Sequence, residues 1–142
     1  MKKILSTLLI LIYSIAVIAQ NEIVGLWKTI DDNSGKESSV VEIYKKGDLY
    51  FGKIVKTFHN SDNDADLICD LCEGDKKDQK IVGMEFLENM KLDGDEFVGG
   101  EILDPENGKT YRCKLWIEGD ILYVRGYIAF FFRTQKWYRF EN

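Results

Sequence analysis

The chain of 142 residues has one histidine, one proline and three cysteines, and it lacks an excess of positive charge. A single histidine means that any Ser-His-Asp or Cys-His machinery must use His59. Ser61 and Asp62 stand beside it, but the sequence contains no nucleophile elbow. The 19 lysines and arginines are outnumbered by 24 acids, for a net charge of −5. A scattered, acidic charge pattern of this kind gives no electrostatic footprint for nucleic acid or for an anionic membrane. Internal repeats and long low-complexity tracts are also missing, and no cofactor signature or metal motif with two close ligand pairs is present.

Long apolar runs are confined to the N-terminus. Met1-Lys2-Lys3 precedes a mostly apolar stretch from Ile4 to Ile18, shorter than the roughly 20 residues that a spanning helix needs. Two positive charges, a short apolar core and small residues at Val17 and Ala19 describe a secretory signal peptide cleaved after Ala19. Removing it leaves 17 basic residues against 24 acids, a net charge of −7. Residues 20–142 are then expected to form one exported domain with one core, periplasmic or secreted and without membrane insertion. No cysteine follows the cut, so a lipoprotein anchor is not expected.

From Ile23 onward the chain is made of short runs rich in Val, Ile, Tyr, Phe and Trp, separated by Gly, Asp and Asn. Eight strands are predicted: Ile23 to Ile30, Ser38 to Tyr44, Leu49 to Phe58, Ile81 to Met90, Glu96 to Leu103, Lys109 to Ile117, Ile121 to Ile128 and Arg133 to Phe140. The fourth could also be read as a short helix, because Met84, Leu87, Glu88 and Met90 suit either period. Lys46-Gly47-Asp48, Asp93-Gly94-Asp95, Asp104-Pro105-Glu106-Asn107-Gly108 and Glu118-Gly119-Asp120 are hairpin turns with glycine placed for positive φ. Short hairpins between sequential strands favour an antiparallel up-and-down barrel over a sandwich, whose Greek-key crossings are longer.

Alternation then assigns faces. Tyr111, Cys113, Leu115 and Ile117 share one side of their strand, which is expected to face the core. In the next strand Leu122, Val124, Gly126 and Ile128 oppose Tyr123, Arg125 and Tyr127. If the second set faced inward, Arg125 between two tyrosines would furnish a ligand pocket. The other reading puts the charged face in solvent. Trp27 has the same choice between filling the barrel floor and touching a ligand.

Gly25-Leu26-Trp27, Gly52-Lys53-Ile54, Cys69-Asp70-Leu71-Cys72, Gly83-Met84, Gly99-Gly100, residues 104–111 (DPENGKTY), Val124-Arg125-Gly126-Tyr127 and Arg133-Thr134-Gln135-Lys136-Trp137 occur in an order that resembles the bacterial family called domain of unknown function 2147. The resemblance spans essentially all of residues 20–142. One departure is Phe132, where the family pattern more often has glycine. The resemblance implies an exported barrel of lipocalin-like or streptavidin-like form, and it brings no established activity. The Gly-x-Trp also looks like the lipocalin signature, in which the tryptophan closes the floor and an arginine of the last strand packs across it. Arg133 or Arg139 would be that arginine.

The segment from His59 to Lys80 is polar and acidic, long for a compact domain, and a candidate lid or binding loop. It holds Cys69 and Cys72. In an oxidising compartment these can bond to each other, closing a small loop for roughly 2 kcal/mol, or one can bond to Cys113 for about 4 kcal/mol. A third reading makes them metal ligands. The β context argues against a thioredoxin-like site. Asp62, Asp64, Asp66, Asp70 and Glu73 fall at EF-hand ligand spacing, but Leu67 occupies the position that needs glycine for the sharp turn.

Three functions follow as expectations. The first is an exported barrel binding a small apolar or amphipathic molecule in a cavity of a few hundred cubic ångströms, with Arg125, Tyr123, Tyr127 and Trp27 as candidate contacts. The second is a cell-envelope interaction module docking through Trp116, Tyr123, Tyr127, Trp137 and Tyr138. The third is an enzyme using Glu101, Asp104, His59 or Arg125, for which no motif speaks.

Overall fold

The computed structural model describes residues 23–58 and 67–142. The expected signal segment, His59, Asp62, Asp64 and Asp66 lie outside the described residues. Eight antiparallel strands close into one barrel in sequential order. They are β1 Gly25–Ile30, β2 Glu37–Lys46, β3 Leu49–Thr57, β4 Glu85–Asp93, β5 Glu96–Asp104, β6 Lys109–Glu118, β7 Ile121–Ile128 and β8 Phe131–Arg139. The seam pairs Trp27 with Arg139 and Lys28 with Tyr138, and Phe140 N donates to Leu26 O at 3.0 Å.

Most strands match their expected bounds to within one or two residues, and two of the departures have a clear local cause. Ile81 to Met84 forms a turn, with Met84 N donating to Ile81 O at 3.1 Å and Gly83 at φ 92°, so β4 begins four residues later than the apolar pattern suggested. Apolar residues there are buried without being in a strand: Met84 is fully buried beneath the turn. At the other boundary β8 starts at Phe131, because Ile128 and Phe131 pair across a two-residue turn of Ala129 and Phe130. Phe132 is an ordinary strand residue paired with Tyr127, so the position needs no glycine.

The barrel interior has two unlike halves. Around the hairpins carrying Gly47, Gly94 and Gly119, the inward side chains Trp27, Ile43, Tyr50, Leu87, Met90, Phe97, Leu115 and Leu122 are at most 3% exposed and fill the lumen. Burying a large apolar side chain contributes about 1.5–3 kcal/mol, so this packed half anchors the fold. Tyr50 and Phe97 meet edge to face with centroids 4.8 Å apart. Trp27 closes this floor: its indole Nε1 donates to Ile23 O at 2.8 Å, and the Arg139 guanidinium lies 3.9 Å from its ring centroid. Arg139 rather than Arg133 therefore clasps the tryptophan, and it also donates to Val24 O at 3.1 Å.

The segment after residue 66 packs against the barrel. Cys69 and Cys72 form a disulfide with Cα atoms 5.3 Å apart, and both are buried. Ile68 bridges to Lys80, and a single 3-10 turn, Gly74–Lys76, follows the disulfide. The loop rests on the β5–β6 turn, where Gly108 has φ 72° and its missing Cβ would stand 2.0 Å from Leu71 O. Only glycine accepts both that backbone conformation and that approach.

Candidate functional site

The open half of the barrel holds a cavity of about 790 Å³. Its mouth is framed by the β1–β2 turn, the end of β3, the β5–β6 turn and the β7–β8 hairpin. Strand alternation arranges the lining in two tiers. Deep in the cavity stand apolar side chains, among them Val41, Ile54, Phe86, Val124 and Trp137. Nearer the mouth the inward positions become polar: Thr29, Ser39, Thr57, Tyr111, Arg133 and Gln135.

The polar tier is organised along the inner face of β8. Arg133, Gln135 and Trp137 alternate inward, from mouth to floor. Asp32 of the β1–β2 turn receives a salt bridge from Arg133 Nη2 at 2.9 Å and a hydrogen bond from Gln135 Nε2 at 2.6 Å. Gln135 Oε1 in turn accepts from Trp137 Nε1 at 3.1 Å, so one chain of bonds runs from the rim to the buried indole. Trp137 is 2% exposed and lies tilted against Phe86, with centroids 6.0 Å apart. On the neighbouring strands β1 and β2, Thr29 Oγ1 and Ser39 Oγ share a hydrogen at 2.7 Å. Thr57 Oγ1 is buried with no hydrogen-bond partner among the described residues. Tyr111 Oη accepts from Asn107 Nδ2 at 3.0 Å at the β5–β6 turn.

The arrangement separates the residues singled out in the sequence. Leu122 and Val124 point into the barrel, which places Tyr123, Arg125 and Tyr127 on its outer face, outside the cavity lining. The pocket that Arg125 would have furnished is therefore not the interior one; alternation put the wholly apolar face inward, as the cost of burying a charge requires. Arg125 Nε donates to Thr134 Oγ1 at 2.8 Å, and its guanidinium lies 4.2 Å from the Phe132 centroid and 5.0 Å from that of Trp116. Trp116 and Tyr123 stack with centroids 5.3 Å apart. Trp27 sits in the floor and does not line the cavity. Trp137, read as an outward anchor, instead faces inward; Tyr138 is its exposed neighbour.

Asp32 and Thr57 were not singled out in the sequence, Gln135 entered only within the stretch Arg133-Thr134-Gln135-Lys136-Trp137, and Arg133 was singled out for a different role. The signal for Arg133 and Gln135 was the inward alternation of β8 itself, which becomes readable once Trp137 is placed inside. Asp32 lies in a turn, where no period applies. Of the acid-base candidates, Asp104 has both carboxylate oxygens occupied within its own turn, by Glu106 N at 2.9 Å and Asn107 Nδ2 at 3.0 Å. Among the described residues no group of three or more His, Cys, Asp or Glu side chains converges to hold a metal. Cys113 is a buried free thiol, 3.4 Å from Met90 Sδ, and burial followed by the nearby Glu101 charge pushes its pKa up to about 12.

A comparable barrel has been solved. Protein HP1028 from the human pathogen Helicobacter pylori, described as belonging to the lipocalin family, superposes with a TM-score of 0.72 over 84% of each chain at 17% sequence identity. At that identity the likeness speaks for the fold, an eight-stranded lipocalin-like barrel. No curated protein matches the chain in sequence. Residues 25–139 match the family described as "Uncharacterized protein conserved in bacteria (DUF2147)". With the match running from the first residue of β1 to the last of β8, the chain belongs to the DUF2147 family.

Proposed function

We propose that this protein binds one small amphipathic molecule in the open half of its barrel, after export from the cytoplasm. The apolar body would lie against Val41, Ile54, Phe86, Val124 and Trp137. The polar head would exchange hydrogen bonds with Arg133, Asp32 and Gln135 at the rim. The observation that carries this reading is the two-tier lining of a cavity of about 790 Å³, within the size range of about 300–1,000 Å³ typical of small-molecule sites.

The test uses cis-parinaric acid, a fluorescent amphipathic probe, with protein beginning at Gln20. Saturable fluorescence enhancement at one probe per protein is expected. Gly126→Phe should abolish it, because Gly126 lines the cavity and a Cβ there meets only Tyr111 Cβ at 3.8 Å, leaving space for a ring that fills the lumen. Absence of saturable enhancement, or equal enhancement in the variant, would refute the reading.

A second reading is an envelope interaction module. The stacked Trp116 and Tyr123 with Arg125 beside them favour it, since flat rings and guanidinium groups anchor interfaces. Tyr123, Arg125 and Tyr127 belong to this reading through their outward placement. Replacing Trp116 and Tyr123 by alanine should leave probe binding intact while removing any partner captured through that face.

A further inference from the structure

The barrel has four hairpins with two-residue turns, and one of them breaks the pattern of the rest. Gly47-Asp48, Gly94-Asp95 and Gly119-Asp120 turn at the closed end, each with glycine at positive φ followed by an aspartate. The β7–β8 hairpin at the open end turns through Ala129-Phe130 instead, with Ala129 itself at φ 51°. A non-glycine residue in that region is uncommon, and a polar pair such as Asn-Gly is the ordinary choice. The five residues Ile128-Ala129-Phe130-Phe131-Phe132 carry no polar side chain at all. Phe130 is 99% exposed, Phe131 77% and Phe132 59%, with Ile128 at 53%. Local chemistry that departs from what the turn prefers, at an exposed tip, points to a role outside the fold.

Immediately below the tip stands a belt of guanidinium and phenol groups. The cross-strand row Glu101, Arg112, Tyr127 and Phe132 lies on the outer face, followed by the row Lys114, Arg125 and Thr134, in which Lys114 pairs with Glu96 at 3.1 Å. Arg125 hydrogen-bonds a neutral hydroxyl and lies against rings, with no carboxylate paired to it among the described residues. An apolar wedge backed by basic and aromatic side chains matches the layering of a bilayer surface, acyl chains under phosphates. The exposed aromatic area of the tip is about 500 Å², taking 150–250 Å² per ring. That falls short of the roughly 800 Å² per partner of a stable protein interface.

We propose that the β7–β8 tip docks the open end of the barrel onto a phospholipid bilayer, with Phe130 and Phe131 seated below the headgroups and Arg112 and Arg125 against phosphate. Ile128 and Arg133 also line the cavity, so docking sets the mouth at the lipid surface. Delivery of an amphipathic ligand from the bilayer would rest on the binding reading above; docking itself does not, because it needs no occupant in the barrel.

The experiment is flotation with vesicles of phosphatidylcholine and phosphatidylethanolamine in equal parts. Protein beginning at Gln20 is used, because the apolar N-terminal run would partition by itself and every strand lies beyond it. The wild type should float with the vesicles. The double variant Phe130→Ser, Phe131→Ser should lose partitioning by about tenfold or more, from the transfer free energy of two phenylalanines. Val55→Ser, which removes an exposed apolar side chain on β3, should float like the wild type. A wild type that stays in solution, a double variant that floats equally well, or an equal loss in the Val55 variant would each overturn the proposal. So would a concentration-dependent dimer in sedimentation that the double variant abolishes without any vesicle partitioning, which would assign the tip to a second copy of the chain. Parinaric acid binding in the double variant separates the two proposals, since it should persist whichever way flotation turns out.

Discussion

Arg139 shows how much a side chain at the edge of solvent can hold together. Its guanidinium covers the Trp27 ring at 3.9 Å and donates to Val24 O, tying the last strand both to the floor residue and to the segment that precedes the first strand. A cation over an indole contributes about 0.5–2 kcal/mol and a charged hydrogen bond about 1.5–3 kcal/mol before solvent screening. Arg139→Ala should therefore destabilise the barrel by about 1–3 kcal/mol, read as a lower urea midpoint at unchanged m value. Arg139→Lys should recover only part of this, because an ammonium keeps the charge without the plane that stacks on the ring. The arginine was legible as one of two candidates from the terminal strand pattern. The choice between them depended on register: only the seam pairing of Trp27 with Arg139 brings a guanidinium over the floor.

At the scale of elements, the disulfide loop and the β5–β6 turn behave as one unit. Gly108 accepts the Leu71 carbonyl where a Cβ would stand 2.0 Å away, and its φ of 72° strains any other residue. Gly108→Ala is expected to lift the loop off the turn, costing on the order of 2–4 kcal/mol for combined backbone strain and steric displacement. Hydrogen exchange should show protection lost over residues 67–81 while β1 and β8 keep theirs. Strand order, hairpin positions and barrel closure were readable because turn chemistry and period two agree along most of the chain. The start of β4 was not, since burial of Met84 and partial burial of Ile81 in a turn look in sequence like burial in a strand. The cavity rim was hidden for a related reason. Asp32 reaches Arg133 and Gln135 across about a hundred residues of chain, and no local pattern encodes such a meeting.

The whole molecule's stability should depend on pH at both ends of the scale. Burial and the nearby Glu101 charge raise the Cys113 thiol from 9.0 to about 12. Burial, then the hydrogen bond to Glu85, raise the Tyr44 phenol above its usual 10.0. Both groups stay neutral in the folded barrel while the unfolded chain releases their protons earlier. Their contribution is therefore complete below about pH 9 and declines as pH climbs toward 12. Glu85 has the opposite sign. Burial alone would raise its carboxyl, but hydrogen bonds from Tyr44 and Lys46 outweigh that and hold it below 4.5. Its contribution is complete above that value and is lost as pH falls through the lowered one. Urea midpoints measured from about pH 3 to 12 should thus form a plateau with two falling limbs. Cys113→Ala should flatten part of the alkaline limb, and Tyr44→Phe a further part.

The seam between β1 and β8 has a consequence for how the molecule comes into being. It joins residue 27 to residue 139, so the ring cannot shut until the strand that carries residue 139 is present. Any shorter nascent or clipped form ending in β7 would expose two unpaired strand borders, the templates on which chains pair with one another. Contacts of such long sequence separation also form slowly. The last strand is thus a quality gate: its arrival separates a self-contained ring from an intermediate prone to aggregate.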